Sequence, residues 1–165
     1  MNITNKPKTQ GFTIIEVVLV LAIAGLIFLI VFLALPALQR SQRDTARKND
    51  ASRMLSQLTQ YQSNTQGSIP AATVAGWNAF IAAYLTNGGQ SFKDPQSGNT
   101  YTPNVQTNNG AAPNATLGTI TIYNDGTNGS ACDNTLADGV VNGNGTRQVA
   151  VVMPLEQGGF YCQQN

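Results

Sequence analysis

Gly11-Phe12-Thr13-Ile14-Ile15-Glu16, followed by an uncharged apolar run from Val17 to Leu38, is the stretch that decides how this chain folds. The run holds 22 residues. As a helix it measures roughly 33 Å, enough to cross a bilayer core of about 30 Å. Glu16 is a lone carboxylate at its head, and an unpaired carboxylate in hydrocarbon is costly enough that a cation or donor is expected to satisfy it. A second copy of the chain is one source of that cation.

A cleaved secretory signal is the competing reading of the run. Such a signal has an apolar core of about 7 to 15 residues that ends at small residues of the A-x-A kind. Here the A-x-A triplet, Ala22-Ile23-Ala24, lies in mid-run, and cutting there would leave an apolar remnant. The reading adopted is retention as a single membrane span. Charge orients it weakly: Lys6 and Lys8 precede it, whereas Arg40, Arg43, Arg47, Lys48 and Arg53 follow, mixed with Asp44 and Asp50. Counting basic residues alone would put the following segment in the cytoplasm.

The segment Gly11-Phe12-Thr13-Ile14-Ile15-Glu16-Val17-Val18-Leu19 resembles the prepilin processing motif of type IV pilins and pseudopilins. The agreement covers a short basic leader, the Gly11/Phe12 junction, Thr13 and Glu16 after it, a long apolar helix, and Gly25 at the family's usual place. The resemblance implies cleavage after Gly11 by a membrane prepilin peptidase, N-methylation of Phe12, and export of the part beyond the span. It further implies assembly by a cytoplasmic ATPase and platform protein into a helical homo-oligomer outside the cell. One departure concerns Pro36. The family commonly places a helix-kinking proline about eight residues after the glycine, and Leu33 occupies that place here. The Gly25 to Pro36 segment is therefore where bending or partial unwinding is expected when subunits leave the lipid.

Cleavage would give Phe12 a cationic amine about one helical turn above Glu16. In a stack of helices the carboxylate of one subunit could meet the amine of the next, and low dielectric would make that pairing depend on register. The plainer alternative is that Glu16 complements the positive end of its own helix dipole, worth about 0.3 to 1 kcal/mol.

The expected organisation is a leader at 1–11, a membrane and polymerisation helix at 12–38, an amphipathic continuation at 39–66, and an extracellular head at 67–165. The fold class is α+β: a long N-terminal helix packed on a small antiparallel sheet, as the resemblance also implies. Ala37 to about Thr65 contains no glycine or proline, and Ala51, Leu55, Leu58 and Gln62 recur at helical spacing beside Met54 and Tyr61. Arg40, Asp44, Arg47 and Lys48 read as a solvated or intersubunit face, with lipid headgroups as another contact. Gly67-Ser68-Ile69-Pro70 breaks the helix. A second short one carries Trp77, Phe80, Ile81, Tyr84 and Leu85 as a core stripe, ending near Gly88-Gly89.

Phe92-Lys93-Asp94-Pro95-Gln96-Ser97-Gly98-Asn99-Thr100-Tyr101 reads as a turn-rich loop leading to an edge strand, and it resembles an Asp-Pro-x-x-Gly-x-x-Tyr loop of pilin and pseudopilin heads. After a polar stretch at 104–118, Thr119 to Tyr123 alternates as a half-buried strand, with Arg147–Met153 and Gly159–Gln163 as further strands. Cys132 and Cys162 are the two cysteines. A head outside the membrane would hold them in an oxidising compartment where they can pair, and a carboxy-proximal disulfide loop is common in the family. Two buried free thiols are the alternative.

Asp125, Asp133 and Asp138 lie in a Gly/Asn-rich loop without EF-hand spacing, so turn chemistry is expected rather than metal binding, and no cofactor is assigned. The chain has no histidine, which removes His-based triads and His-ligated metals, and no catalytic constellation stands out. Net charge is +1, giving no nucleic-acid footprint. DNA uptake, adhesion and twitching motility all remain open, as does service as a pseudopilin in a type II secretion or DNA-uptake machine. A membrane-anchored binding protein that never polymerises is the reading from outside the family.

Overall fold

The computed structural model describes residues 11–87, 91–107, 109–133 and 139–165. The leader before Gly11, the Gly88-Gly89 helix end and Asp138 lie outside the described residues. Two compact units divide between Gln39 and Arg40.

The first helix, α1, runs Ile14–Asn64 with Pro36 inside it. Its early residues, from Ile14 to Leu38, expose their large apolar side chains. From Asp44 onward one face turns inward, burying Asp44, Arg47, Ala51, Met54, Leu55 and Leu58. Those positions recur every three or four residues, as one face of a helix must. The helix ends where expected: Gln66 adopts φ 55° and Gly67 φ 81°, while the Gly67 amide reaches back to the Gln62 carbonyl at 2.7 Å. A side chain at Gly67 would strike the Arg147 guanidinium.

A second helix, α2, covers Val74–Phe80, capped by the Thr73 hydroxyl, which accepts from the Gly76 amide at 3.1 Å. It tightens into no ordinary ending but widens into a π-helical turn, Ile81–Leu85, closed by Thr86 N–H to the Ile81 carbonyl at 3.0 Å. The widening lets Trp77, Phe80, Ile81 and Leu85 all reach the core. Tyr61, Phe80 and Tyr84 meet edge-on or stacked, with ring centres 5.4 to 5.7 Å apart.

Six strands come next: β1 (Thr102–Gln106), β2 (Thr119–Tyr123), β3 (Ser130–Cys132), β4 (Val140–Asn142), β5 (Ala150–Pro154) and β6 (Phe160–Gln164). The main sheet has the order β1-β2-β5-β6, with β3-β4 as a separate two-stranded piece. The expected all-antiparallel sheet is corrected here. β1 pairs parallel with β2, Thr102 opposite Thr119 and Gln106 opposite Tyr123, and the other two pairings are antiparallel. A parallel pair needs a long crossover, and residues 107–118 provide one. Buried Asn109 pins that crossover to the hairpin, donating to the Gly129 carbonyl and Asn142 Oδ1 at 2.9 Å each and accepting from Ser130 Oγ at 2.6 Å. The Tyr123 hydroxyl donates to the Ala111 carbonyl.

β2 is not half-buried but buried at every position, as is β5. One face, with Ile120, Ile122, Val149, Val151 and Met153, packs against α1 and α2. The other, with Tyr123, Ala150 and Val152, lies beneath Val140 and the cysteines. The β3-β4 hairpin gives that outer face its cover, and no strong alternation in its short strands announced it.

Candidate functional site

Three local arrangements carry the chemistry singled out in the sequence. At the head of α1, Thr13 and Glu16 form a capping box. The Glu16 carboxylate accepts from both the Thr13 amide and the Thr13 hydroxyl at 2.8 Å, while the Glu16 amide approaches Thr13 Oγ1 at 3.4 Å. Within one chain, then, the carboxylate already has donors; the sequence reading missed this capping box, although the Thr-x-x-Glu spacing is its signal. Directly before it Phe12 is 90% exposed, and nothing lies within 4 Å of where a side chain would stand on Gly11. Gly25 is equally open. Pro36 sits within the helix, three positions past the expected place.

The second arrangement overturns the solvated reading of the charges after the span. Arg47 is 1% exposed and Asp44 is 4% exposed. Arg47 Nη1 lies 3.0 Å from Asp44 and 2.9 Å from Glu156, and its Nη2 and Nε lie 2.7 and 2.8 Å from one oxygen of Asp94. Arg43 grips Glu156 with two parallel bonds of 2.7 Å. Asp44 in turn accepts the backbone amides of Glu156 and Gln157 at 2.8 and 3.3 Å. A planar fork with five donors suits such a multi-carboxylate site, where a lysine would not. Arg40 and Lys48 do remain exposed, Lys48 lying over the Tyr161 ring at 5.6 Å.

The Asp94 loop shows why its residue types are needed. Asp94 Oδ2 accepts from Ser97 N at 2.9 Å, Gly98 N reaches the Asp94 carbonyl at 2.8 Å, and Gly98 has φ 69°. Pro95 supplies the fixed φ of a turn's second position. The loop then delivers Tyr101, whose hydroxyl donates to Asp50 at 3.0 Å. Asp94 therefore closes its own turn with one oxygen and clasps α1 with the other.

These contacts shift proton affinities. The hydrogen bond from Arg43 holds the Glu156 carboxyl below its ordinary range, with Arg47 adding to it and burial opposing. Burial pushes Asp50 up, against the Tyr101 bond that lowers it. Tyr101 is raised by burial first and by Asp50 second.

The third arrangement is the Cys132–Cys162 disulfide, with Cα atoms 5.8 Å apart, joining the β3-β4 hairpin to β6. The Cys132 amide also donates to Gln164 Oε1. Asp125 serves a turn, accepting from the Thr127 amide at 3.0 Å, which holds its carboxyl low.

Residues 6–32 match a family model described as the prokaryotic N-terminal methylation motif. This is the prepilin-type motif of type IV pilins and pseudopilins, a structural rather than enzymatic class, and the long helix with its mixed sheet is a type IV pilin-like α+β fold. No curated protein and no solved structure matches the chain. The methylation motif and the apolar helix fit a membrane-anchored precursor, and the motif is of the kind a prepilin peptidase processes.

The sequence reading missed the ionic clasp. Its Asp44-x-x-Arg47 part has helical i,i+3 spacing, but Glu156 lies 109 positions from Arg47 and no local pattern links them.

Proposed function

We propose that this chain is a type IV pilin, the repeating subunit of an extracellular filament. The observation that carries the reading is the helix from Ile14 to Leu38. It is strongly apolar, its large apolar side chains are all exposed among the described residues, and it begins in a prepilin-type motif. Such a surface needs a non-aqueous neighbour. Lipid serves before assembly, and the helices of sister subunits serve afterwards.

In this reading residues 1–11 are a leader removed between Gly11 and Phe12, whose exposure suits a peptidase. Phe12 becomes the methylated N-terminus, 12–38 the span and polymerisation helix, 39–66 its continuation and 67–165 the exported head. Export also supports the pairing of the cysteines, since the head then reaches an oxidising compartment. Glu16 leaves Thr13 to meet the new amine of a neighbouring Phe12, an exchange of donors that leaves the carboxylate satisfied in both states. Gly25 and Pro36 supply the give that repacking requires.

N-terminal mass analysis combined with electron microscopy of sheared surface material tests this. The expected finding is a methylated chain beginning at Phe12 in long filaments. Glu16→Gln should be processed yet accumulate in the membrane. A full-length chain starting at Met1 and monomeric in cells with an active assembly apparatus would overturn the proposal. A short periplasmic stalk in place of long fibres would reassign the subunit to the pseudopilins.

A further inference from the structure

We propose that Asn144 is a site of spontaneous deamidation, which places a new carboxylate in the polar hollow beside Arg147. The hollow has a volume of about 390 Å³ and is lined by residues that include Gln62, Gly67, Asn144, Arg147 and Gln148. Among its lining residues Arg147 has the single charged side chain.

Asn-Gly pairs recur at 109–110, 128–129, 142–143 and 144–145 within the described residues. Glycine after asparagine leaves the following backbone nitrogen sterically open, so sequence alone would rank these four equally with a fifth pair, Asn87-Gly88, whose glycine lies outside the described residues. The structure separates the four. Gly129 N–H is held by the Asp125 carbonyl at 2.7 Å, and Gly143 N–H by the Gly129 carbonyl at 3.0 Å. Asn109 is buried, with both amide atoms engaged, and Asn142 Oδ1 accepts from it. At 144–145 neither restraint is present. Among the described residues the Asn144 side chain is exposed and unbonded, Gly145 N–H has no acceptor, and a side chain on Gly145 would meet nothing within 4 Å. The other contacts of this turn, Asn144 N–H to Gln148 Oε1 and Gln148 N–H to the Gly145 carbonyl, both at 2.9 Å, leave the reacting atoms free.

In the reaction Gly145 N attacks Asn144 Cγ. The new C–N bond closes a five-membered succinimide, the Cγ–Nδ2 bond breaks, and ammonia leaves with the amide proton. Water then opens the ring at one of its two carbonyls, giving aspartate or isoaspartate at position 144. Amide plus water becomes carboxylic acid plus ammonia, with nothing oxidised or reduced. The hollow thereby acquires an anionic side chain beside its cationic one, and the head gains one negative charge as the subunit ages.

The test incubates the folded full-length chain in warm, mildly alkaline buffer and maps its peptides by mass spectrometry with isoaspartate detection. Conversion at Asn144 should run ahead of Asn109, Asn128 and Asn142, which should be slower by at least about tenfold because each must first open locally. In denaturant the four rates should converge. Gly145→Ala, whose added methyl group meets nothing, should slow position 144 alone. Equal rates in the folded chain, or Asn128 or Asn142 leading, would overturn the proposal, as would an unchanged rate at Asn144 in the alanine variant.

Discussion

Two stretches of the same helix, Val17 to Leu38 and Asp44 to Leu58, meet opposite surroundings. The first is apolar on every side and exposes all of its large apolar side chains. The second carries five charged residues and yet buries one whole face, including an arginine and an aspartate. Hydrophobicity therefore does not say which part of this helix is covered by its own chain. What decides is whether the polar groups of a segment have partners folded against it. A run without polar groups waits for lipid or for other copies, whereas Arg47, with three carboxylates around it, is fixed by loops of its own head.

The contrast is open to direct attack. Arg47→Ala leaves Asp44, Asp94 and Glu156 facing one another without a central cation. It should lower head stability by about 3 to 5 kcal/mol, read as a fall in the thermal midpoint of the full chain in detergent. An unchanged midpoint would mean that the second stretch is held by apolar contacts alone. Opening the Cys132–Cys162 bridge with reductant should cost about 3.6 kcal/mol, given its 30-residue separation, and should loosen the β3-β4 hairpin first. Hydrogen exchange that rises uniformly over the sheet would contradict that local account.

Acidification gives a smaller, graded effect. Glu156 has a depressed affinity for protons when folded, so its contribution is complete above its unfolded value near 4.5 and is lost as pH falls through the lower folded value. Asp50 is shifted the other way, and its contribution is present below its unfolded value of 3.8 and fades as pH rises through its raised folded one. The two act in opposite directions as pH drops, so Glu156→Gln should remove a fall in the melting midpoint over this acid range and Asp50→Asn should remove a rise. Smallest of all should be Leu26→Ala, under about 0.5 kcal/mol on head stability, because Leu26 touches no core. The same change at fully buried Leu58 should cost about 2 to 5 kcal/mol. Equal effects at the two leucines would erase the distinction between the stretches.

Much of the fold was legible because it rests on local periodicity. The helix to Asn64, its ending at Gly67, the core stripe from Trp77 to Leu85 and strands β2, β5 and β6 all arise from spacing or turn chemistry within a few residues. Less legible were the parallel β1-β2 pairing, the small hairpin and the buried clasp. Each depends on residues far apart in the chain, such as Asn109 with Gly129 and Asn142, whose side-chain types equally suit an exposed loop.

By itself the sequence determined the membrane-length apolar helix, the prepilin-type start with Thr13 and Glu16, and the α+β character of the chain, because length, composition and period are properties of contiguous residues. Tertiary structure alone decided that Arg47 and Asp44 are interior, that one strand pair is parallel, and which of the four Asn-Gly pairs among the described residues is left unrestrained. The physical reason is common to all three: a polar group is defined by the partners that folding brings to it, and a linear pattern does not name them.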